Sequence, residues 1–393
     1  MLTDLHIERV KSTIGVLEAA GPELTAYFYQ RMFSHHPELK NIFNMSNQYS
    51  GRQQVALFEA IAAYAKNIDN VAVLTQAVER IAQKHSSFFI QAEHYAIVGH
   101  HLIATLRELA AEVFTAELEE AWTLAYQFLA QIFIDREAEL YQQHASLAGG
   151  WLGARRFCLV AKQVESALVT SFTLVPIDEQ AVLSYQPGQY LGIEVMPSGS
   201  DYKEIRQYSL SDAANGDSYR ISVKRESAEI PGLVSNYLHD QLSVGDELMV
   251  YPPAGEFFWQ DRQAPVVLIS AGVGLTPMQA MLETLAQQNY SFPVYYLHAC
   301  ESAEQHSFAA RSQALIDQHG WQQATWYKKI DNLSTVGFQG LMDVNAVLLP
   351  VAQGDFYLCG PVVFMQFVKQ QLMALGVAEN RLHYEVFGPH ASL

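Results

Sequence analysis

The sequence predicts a multidomain chain: an all-α part first, then an antiparallel β-barrel or sandwich, then an α/β part on a parallel sheet. Three observations predict it. The 393 residues suffice for two or three domains. Residues 1–148 hold only four of the 23 glycines and two of the 14 prolines, so helix breakers are scarce there. From Gly149 onward, short β-type runs come first, and buried strands alternating with glycine turns and helices follow. The boundaries read as 1–146 for the helical part, 147–153 for a linker, 154–262 for the antiparallel part and 263–393 for the α/β part.

In the helical part, Gly21-Pro22 ends one helix and opens the next, with Pro at the first helical position. Leu24, Phe28 and Met32 follow at four-residue spacing, with Tyr29 one position round, and His36-Pro37 closes that helix. A loop carrying Phe43 leads to a helix in which Gln53 and Leu57 face the same way. Val71–Ser87 reads as a further helix ending in Lys84-His85, with Tyr95 ten residues beyond His85. A long last helix, about Ala116–Gln142, carries Glu137.

The antiparallel part shows strand runs at Phe157–Ala161, Leu168–Val175, Tyr190–Val195, Tyr219–Val223 and Glu247–Val250. Turn signals such as Asn215-Gly-Asp217 and Val244-Gly-Asp246 separate them. In the α/β part, Val266–Ser270 precedes a glycine turn and a helix over Pro277–Gln287, and Phe292–His298 and Gln353–Leu358 are further buried strands.

Composition limits the function. Half the residues are hydrophobic and 17% are charged, which is globular composition. Twenty-four Lys and Arg against 41 Asp and Glu give a formal charge of −17, unsuited to nucleic acid or an anionic membrane. The three cysteines, Cys158, Cys300 and Cys359, are too few and too scattered for a disulfide framework or a CxxC metal site. No CxxCH is present, which excludes a covalently attached c-type haem. The N-terminus lacks a signal-peptide core and no apolar run reaches about 18 residues, so a soluble, reduced, cytoplasmic protein is expected.

The motifs go further. GPELTAYFYQRMFSHHPELKNIFNMSNQ, FEAIAAYAKNI, IAQKHSSF and FIDREAELY resemble the globin domain of bacterial flavohaemoglobins, and the later motifs extend that resemblance along essentially the whole chain. The resemblance implies a non-covalent haem b with His85 as proximal iron ligand, and Tyr95 and Glu137 as its hydrogen-bonded support. A carboxylate-backed imidazole donates more electron density, which favours activating O2 over carrying it. Phe43 would pack on the haem plane; Tyr29, Gln53 and Leu57 would line the distal face; Lys84 would neighbour the haem or its propionates. His94, His100 and His101 match no family role.

The second half is similar to the ferredoxin–NADP reductase superfamily. Arg206-Gln207-Tyr208-Ser209 fits its RxYS pattern: Arg206 can fork onto the flavin diphosphate, Tyr208 can pack on the flavin ring and Ser209 can hydrogen-bond near its N5. Tyr190 matches another flavin contact, and Gly232 to Asn236, with Ser235, a helix start facing the pyrophosphate. Ala271-Gly272-Val273-Gly274-Leu275-Thr276-Pro277 follows a buried strand and opens a helix, so its two glycines would let backbone approach the dinucleotide pyrophosphate. Cys359, in CGP, would lie beside the nicotinamide at a strand's carboxyl end. The tail Glu385-Val386-Phe387-Gly388-Pro389 would put Phe387 on the flavin ring, and Glu385 where it can influence flavin potential or proton transfer.

Together these imply a nitric oxide dioxygenase that converts NO and O2 to nitrate, with electrons passing from NAD(P)H through FAD to haem iron. It is expected to act as a monomer on those small molecules. Two other readings stay open: a general haem- and flavin-linked NAD(P)H reductase of oxygen, ferric complexes or alkyl hydroperoxides, and an O2- or NO-binding globin kept ferrous by its reductase part.

Overall fold

The computed structural model describes residues 2–43, 45, 51–227, 231–330 and 336–388. Contacts group them into two compact units, Met1–Ser146 with Glu194–Arg206, and Leu147–Ile193 with Gln207–Leu393. Pro389 lies outside the described residues.

The first unit is chiefly helical. Helices α1 (Asp4–Ser12) and α2 (Ile14–His35) lead to a 3-10 turn, Pro37–Asn41. Helix α2 breaks at Gly21 (φ 57°, ψ −156°), a conformation open to glycine, and Pro22 restarts it. Helices α3 (Arg52–Asn67), α4 (Thr75–Ser86), α5 (Ala92–Leu109) and α6 (Ala116–Ser146) follow. The run expected to be one helix from Val71 instead opens with a 3-10 turn, Val71–Leu74, where the Thr75 hydroxyl donates to the Ala72 carbonyl at 2.7 Å. Leu24, Phe28, Tyr29 and Met32 are buried in one cluster with Leu102, Leu106 and Trp122, so the four-residue spacing marks the core face of α2.

The antiparallel sheet has six strands: β1 (Arg155–Val164), β2 (Val169–Pro176), β3 (Tyr190–Val195), β4 (Glu204–Ser209), β5 (Tyr219–Lys224) and β6 (Glu247–Val250). Their order is β4-β3-β6-β1-β2-β5. A bridge between Leu210 and Ile221, with the Ser211 N–H donating to the Arg220 carbonyl at 2.9 Å, joins the two outer strands. That closes the sheet as a barrel and removes its free edges. Helix α7 (Leu233–Asp240) lies between β5 and β6 in sequence.

The second sheet is parallel throughout, in the order β10-β9-β8-β7-β11-β12. Its strands are β7 (Val266–Ala271), β8 (Val294–Cys300), β9 (Gln322–Tyr327), β10 (Phe338–Gln339), β11 (Asp355–Cys359) and β12 (Leu382–Glu385). The crossover helices include α8 (Leu275–Gln287), α9 (Ala309–His319) and α10 (Val362–Ala374). Strand order runs outward from β7 to β10, then jumps back to β11 on the other side of β7. That reversal opens a crevice at the strands' carboxyl ends, where sheets of this kind bind ligands. The glycine turn after β7 and Cys359 at the end of β11 stand on its two sides.

Candidate functional site

The residues implicated by sequence lie among the helices of the first unit, on strands of the antiparallel sheet and at strand ends of the parallel sheet.

In the helical unit, His85 occupies the last turn of α4. Its Nδ1 lies 2.8 Å from Glu137 Oε1 on α6 and 2.9 Å from the Tyr95 hydroxyl on α5, and Tyr95 donates to the same Glu137 oxygen at 2.5 Å. Glu137 is only 2% exposed. Burial, and then the Glu137 charge, push the Tyr95 hydroxyl far above its ordinary pKa, so it remains a donor. With Nδ1 engaged by a carboxylate, the imidazole keeps Nε2 as its ligating nitrogen. The arrangement is locked from behind: the Tyr126 hydroxyl donates to the Tyr95 carbonyl at 2.7 Å. Tyr126 reaches it because residue 99 is glycine; a Cβ there would sit 2.3 Å from the Tyr126 ring. Sequence reading missed Tyr126, whose signal would have been that lone glycine inside a helix. Lys84 is half-buried beside His85.

On α2, the buried Tyr29 ring meets Phe33 at 5.8 Å and Phe43 at 5.9 Å between centroids. Leu57 packs against the same apolar cluster. The buried Gln53 Oε1 has no hydrogen-bond partner among the described residues, and an unmet amide in an apolar wall suits a site that receives a polar ligand. Thr25, also missed from sequence, pins α2 to α3: its hydroxyl lies 2.8 Å from the Gln54 carbonyl. A histidine with Nε2 uncommitted, in the same helical unit as an apolar cluster and an unmet amide oxygen, is a donor set that fits a haem.

Among the strands, Tyr190 opens β3, and its ring lies against Gly255, where a Cβ would come within 2.9 Å. Its buried hydroxyl has no partner among the described residues, and burial, then Glu385 and Glu256, raise its pKa well above the ordinary value. Arg206, Gln207, Tyr208 and Ser209 end β4. Alternation puts Arg206 and Tyr208 on one face of that strand and Gln207 and Ser209 on the other. Arg206 Nη1 lies 2.8 Å from Glu204 and donates to the Ile205 carbonyl at 2.9 Å. A guanidinium on one strand and, on another, a buried phenol without a partner among the described residues are groups of the kind a flavin can use. Ser235 is less available, because its hydroxyl bonds within its own turn to Gly232 and to the Glu226 N–H, both at 3.3 Å.

At the parallel sheet, Ala271 ends β7 and Gly272–Gly274 form a 3-10 turn before α8. The two glycines differ in purpose. Gly272 is exposed with φ 54°, whereas a Cβ on Gly274 would lie 2.3 Å from the Cys359 carbonyl oxygen. Gly274 therefore admits the neighbouring strand's backbone, where sequence reading assigned its open space to a pyrophosphate. Leu275 and Thr276 turn inward, the Thr276 hydroxyl donating to the Val273 carbonyl at 3.0 Å. Backbone at Gly272 and Val273, with the helix start, is what remains for an anion.

Cys359 is 0% exposed and registers with Ser270 on β7 and Glu385 on β12. Burial, then Glu385, raise its pKa well above the ordinary value, so it is a neutral thiol. In the tail, Val386 is 7% exposed and belongs to the core with Val267, Ile269 and Phe356, so its side chain serves the sheet. Phe387 is 44% exposed, and Gly388 has φ 112°.

Three protein-family models match the chain: Globin over residues 26–133, Oxidoreductase FAD-binding domain over 156–259 and Oxidoreductase NAD-binding domain over 268–370. A flavohemoprotein of Vibrio cholerae serotype O1 is 63% identical over 395 residues, covering 100% of both chains. The crystal structure of the flavohem-like FAD/NAD binding domain of nitric oxide dioxygenase from Vibrio cholerae O1 is 60% identical (TM-score 0.58; 60% of this chain, 99% of that one). The flavohemoglobin of Malassezia yamatoensis, solved with bound FAD and heme, is 26% identical (TM-score 0.88; 98% of this chain, 100% of that one).

Proposed function

The chain belongs to the flavohemoprotein family, and on that premise we propose that it is a nitric oxide dioxygenase, turning NO and O2 into nitrate with electrons from NAD(P)H. Its cofactors are haem, FAD and NAD(P)H. Bound haem supplies an iron at which O2 and NO combine, and bound FAD converts the electron pair of NAD(P)H into single electrons.

The chain's own residues do the rest. His85 would hold the iron through Nε2, while Glu137 and Tyr95 fix its tautomer and make the ring electron-rich. The Tyr29 hydroxyl and Gln53 amide offer hydrogen bonds on the distal side; Phe43 and Leu57 keep that wall apolar and exclude water. Lys84 offers a positive charge to the propionates. Arg206 would clamp the flavin diphosphate, and the Tyr190 hydroxyl would find its missing partner on the flavin. Cys359, as a neutral thiol, would border the nicotinamide without acting as a nucleophile, and Phe387 is exposed enough to cover the flavin ring and move aside. The proposed domains are 1–146, 154–262 and 263–393, in a cytoplasmic monomer.

The observation that carries the reading is the buried Glu137–Tyr95–His85 set. A globin that only stored its ligand has no need of a buried carboxylate behind the proximal imidazole. The test compares kcat/KM of the holoprotein for NO with O2 against ferric complexes and alkyl hydroperoxides. NO should be preferred by orders of magnitude; comparable values for all acceptors would favour a general reductase.

A further inference from the structure

The first compact unit contains one segment from far along the chain. Glu194–Arg206, the end of β3, its following loop and the start of β4, groups with the helices. The contact is specific. The backbone N–H of Lys203 donates to Asn41 Oδ1 at 2.9 Å, and the Lys40 ammonium lies 5.2 Å from the centre of the Tyr202 ring.

Asn41 is itself held. Its Nδ2 donates to the Glu38 carbonyl at 2.9 Å, so both ends of the amide are used. It closes the 3-10 turn Pro37–Asn41, whose Leu39 is buried and accepts the N–H of Phe43 at 3.1 Å. Only Ile42 therefore separates Asn41 from Phe43, whose ring is assigned to the haem plane. On the other side, the Lys203 ammonium pairs with the buried Glu194 at 2.7 Å, and Glu204, the next residue along, pairs with Arg206 at 2.8 Å. Phe43, Asn41, Lys203, Glu204 and Arg206 thus form one connected series. The cofactor chemistry described above uses its two ends and leaves the middle unassigned.

We propose that Asn41 is a positioning residue for flavin binding: by clipping the Lys203 backbone to the haem-face turn, it fixes the strand start from which Arg206 reaches FAD. The proposal rests on the reading of Arg206 as a flavin ligand. An amide side chain suits the task, since it accepts from one backbone and donates to another without adding charge. The Lys40–Tyr202 contact adds a second attachment next to the same bond. Electron flow from flavin to haem would then depend on a residue that touches neither cofactor.

The test uses full-length haem-loaded protein and three readouts: the FAD dissociation constant, hydrogen exchange of the 201–206 amides, and the Soret band. Asn41→Leu should weaken FAD binding about fivefold and speed exchange at Lys203, with the Soret band unchanged. Asn41→Asp, which keeps an acceptor oxygen for the Lys203 N–H but loses the donor to the Glu38 carbonyl, should weaken FAD binding clearly less than Asn41→Leu. Lys203→Pro removes the same hydrogen bond from the other side and also the ammonium that pairs with Glu194, so it should weaken FAD binding at least as much as Asn41→Leu, and the double variant should be no worse than Lys203→Pro. Parent-like FAD affinity and exchange in Asn41→Leu, or equal damage from Asn41→Asp, would overturn the proposal. Arg206→Ala separates it from the reading beneath: if Arg206→Ala also binds FAD normally, the flavin assignment fails and the proposal with it; if Arg206→Ala alone weakens FAD, only the role of Asn41 fails.

Discussion

At the scale of single residues, the site is decided by what each polar group is bonded to. His85 has one ring nitrogen committed to Glu137 and Tyr95, and that commitment orients the other. Glu137→Gln should keep the protein folded and haem-loaded, because the amide can still hydrogen-bond, but it removes the negative charge behind the imidazole. We expect NO turnover to fall about 10- to 100-fold, with a shifted iron–histidine stretching frequency and unchanged reduction of FAD by NAD(P)H. Unaltered turnover would remove Glu137 from the mechanism. These residues were legible in sequence only as a set, since eight of the 14 histidines lie before residue 150 and nothing local distinguishes His85. Tyr126 and Thr25 escaped notice because each acts through a backbone carbonyl, which leaves no pattern of residue types.

At the scale of elements, strand ends and helix starts hold the residues of the proposed reductase site. Strand β7, the Gly272–Gly274 turn and α8 follow the expected strand–turn–helix order, and β11 lies beside β7 in parallel register. The turn's glycines were legible, but the reason for the second was not. Its neighbour, the Cys359 carbonyl, is 85 residues away in sequence and adjacent only once the sheet forms. Gly274→Ala should therefore destabilise the fold by about 1–3 kcal/mol, seen as a lowered unfolding midpoint even without nucleotide. A purely ligand-facing glycine would instead weaken NAD(P)H binding at constant stability. Strands β9, β10 and β12 were not anticipated, for a related reason. β10 is two residues long and β12 four, and β9 lacks both a clean alternation and a continuous apolar run, so only pairing with neighbours defines them.

At the scale of the molecule, the charge of −17 argues against polyanionic partners, and the sites proposed for the anionic cofactors rest on local features such as Arg206 and the helix start after Gly274. The acid response belongs to this scale too. His298 and His306 are buried with their rings stacked 4.9 Å apart, His298 bonded to Ser270 and His306 to Tyr327. Burial pushes the pKa of His306 down to about 4 and that of His298 well below its ordinary 6.5. Both are neutral in the fold and protonate readily once unfolded, so stability is full above about pH 6.5 and is lost as pH falls toward 4. His306→Gln should remove its share of that loss, about 2 kcal/mol between pH 7 and pH 5 in urea unfolding; an unchanged pH slope would contradict it. The claim on which the whole account depends is that one chain joins nicotinamide oxidation to NO removal at the His85 haem. The most direct measurement is an NO electrode trace of the purified protein loaded with haem and FAD, with NADH and O2 added in turn. Rapid NO loss that requires both additions and yields one nitrate per NO is expected. NO loss that is no faster than without protein, or that persists when NADH is withheld through many turnovers, would contradict it.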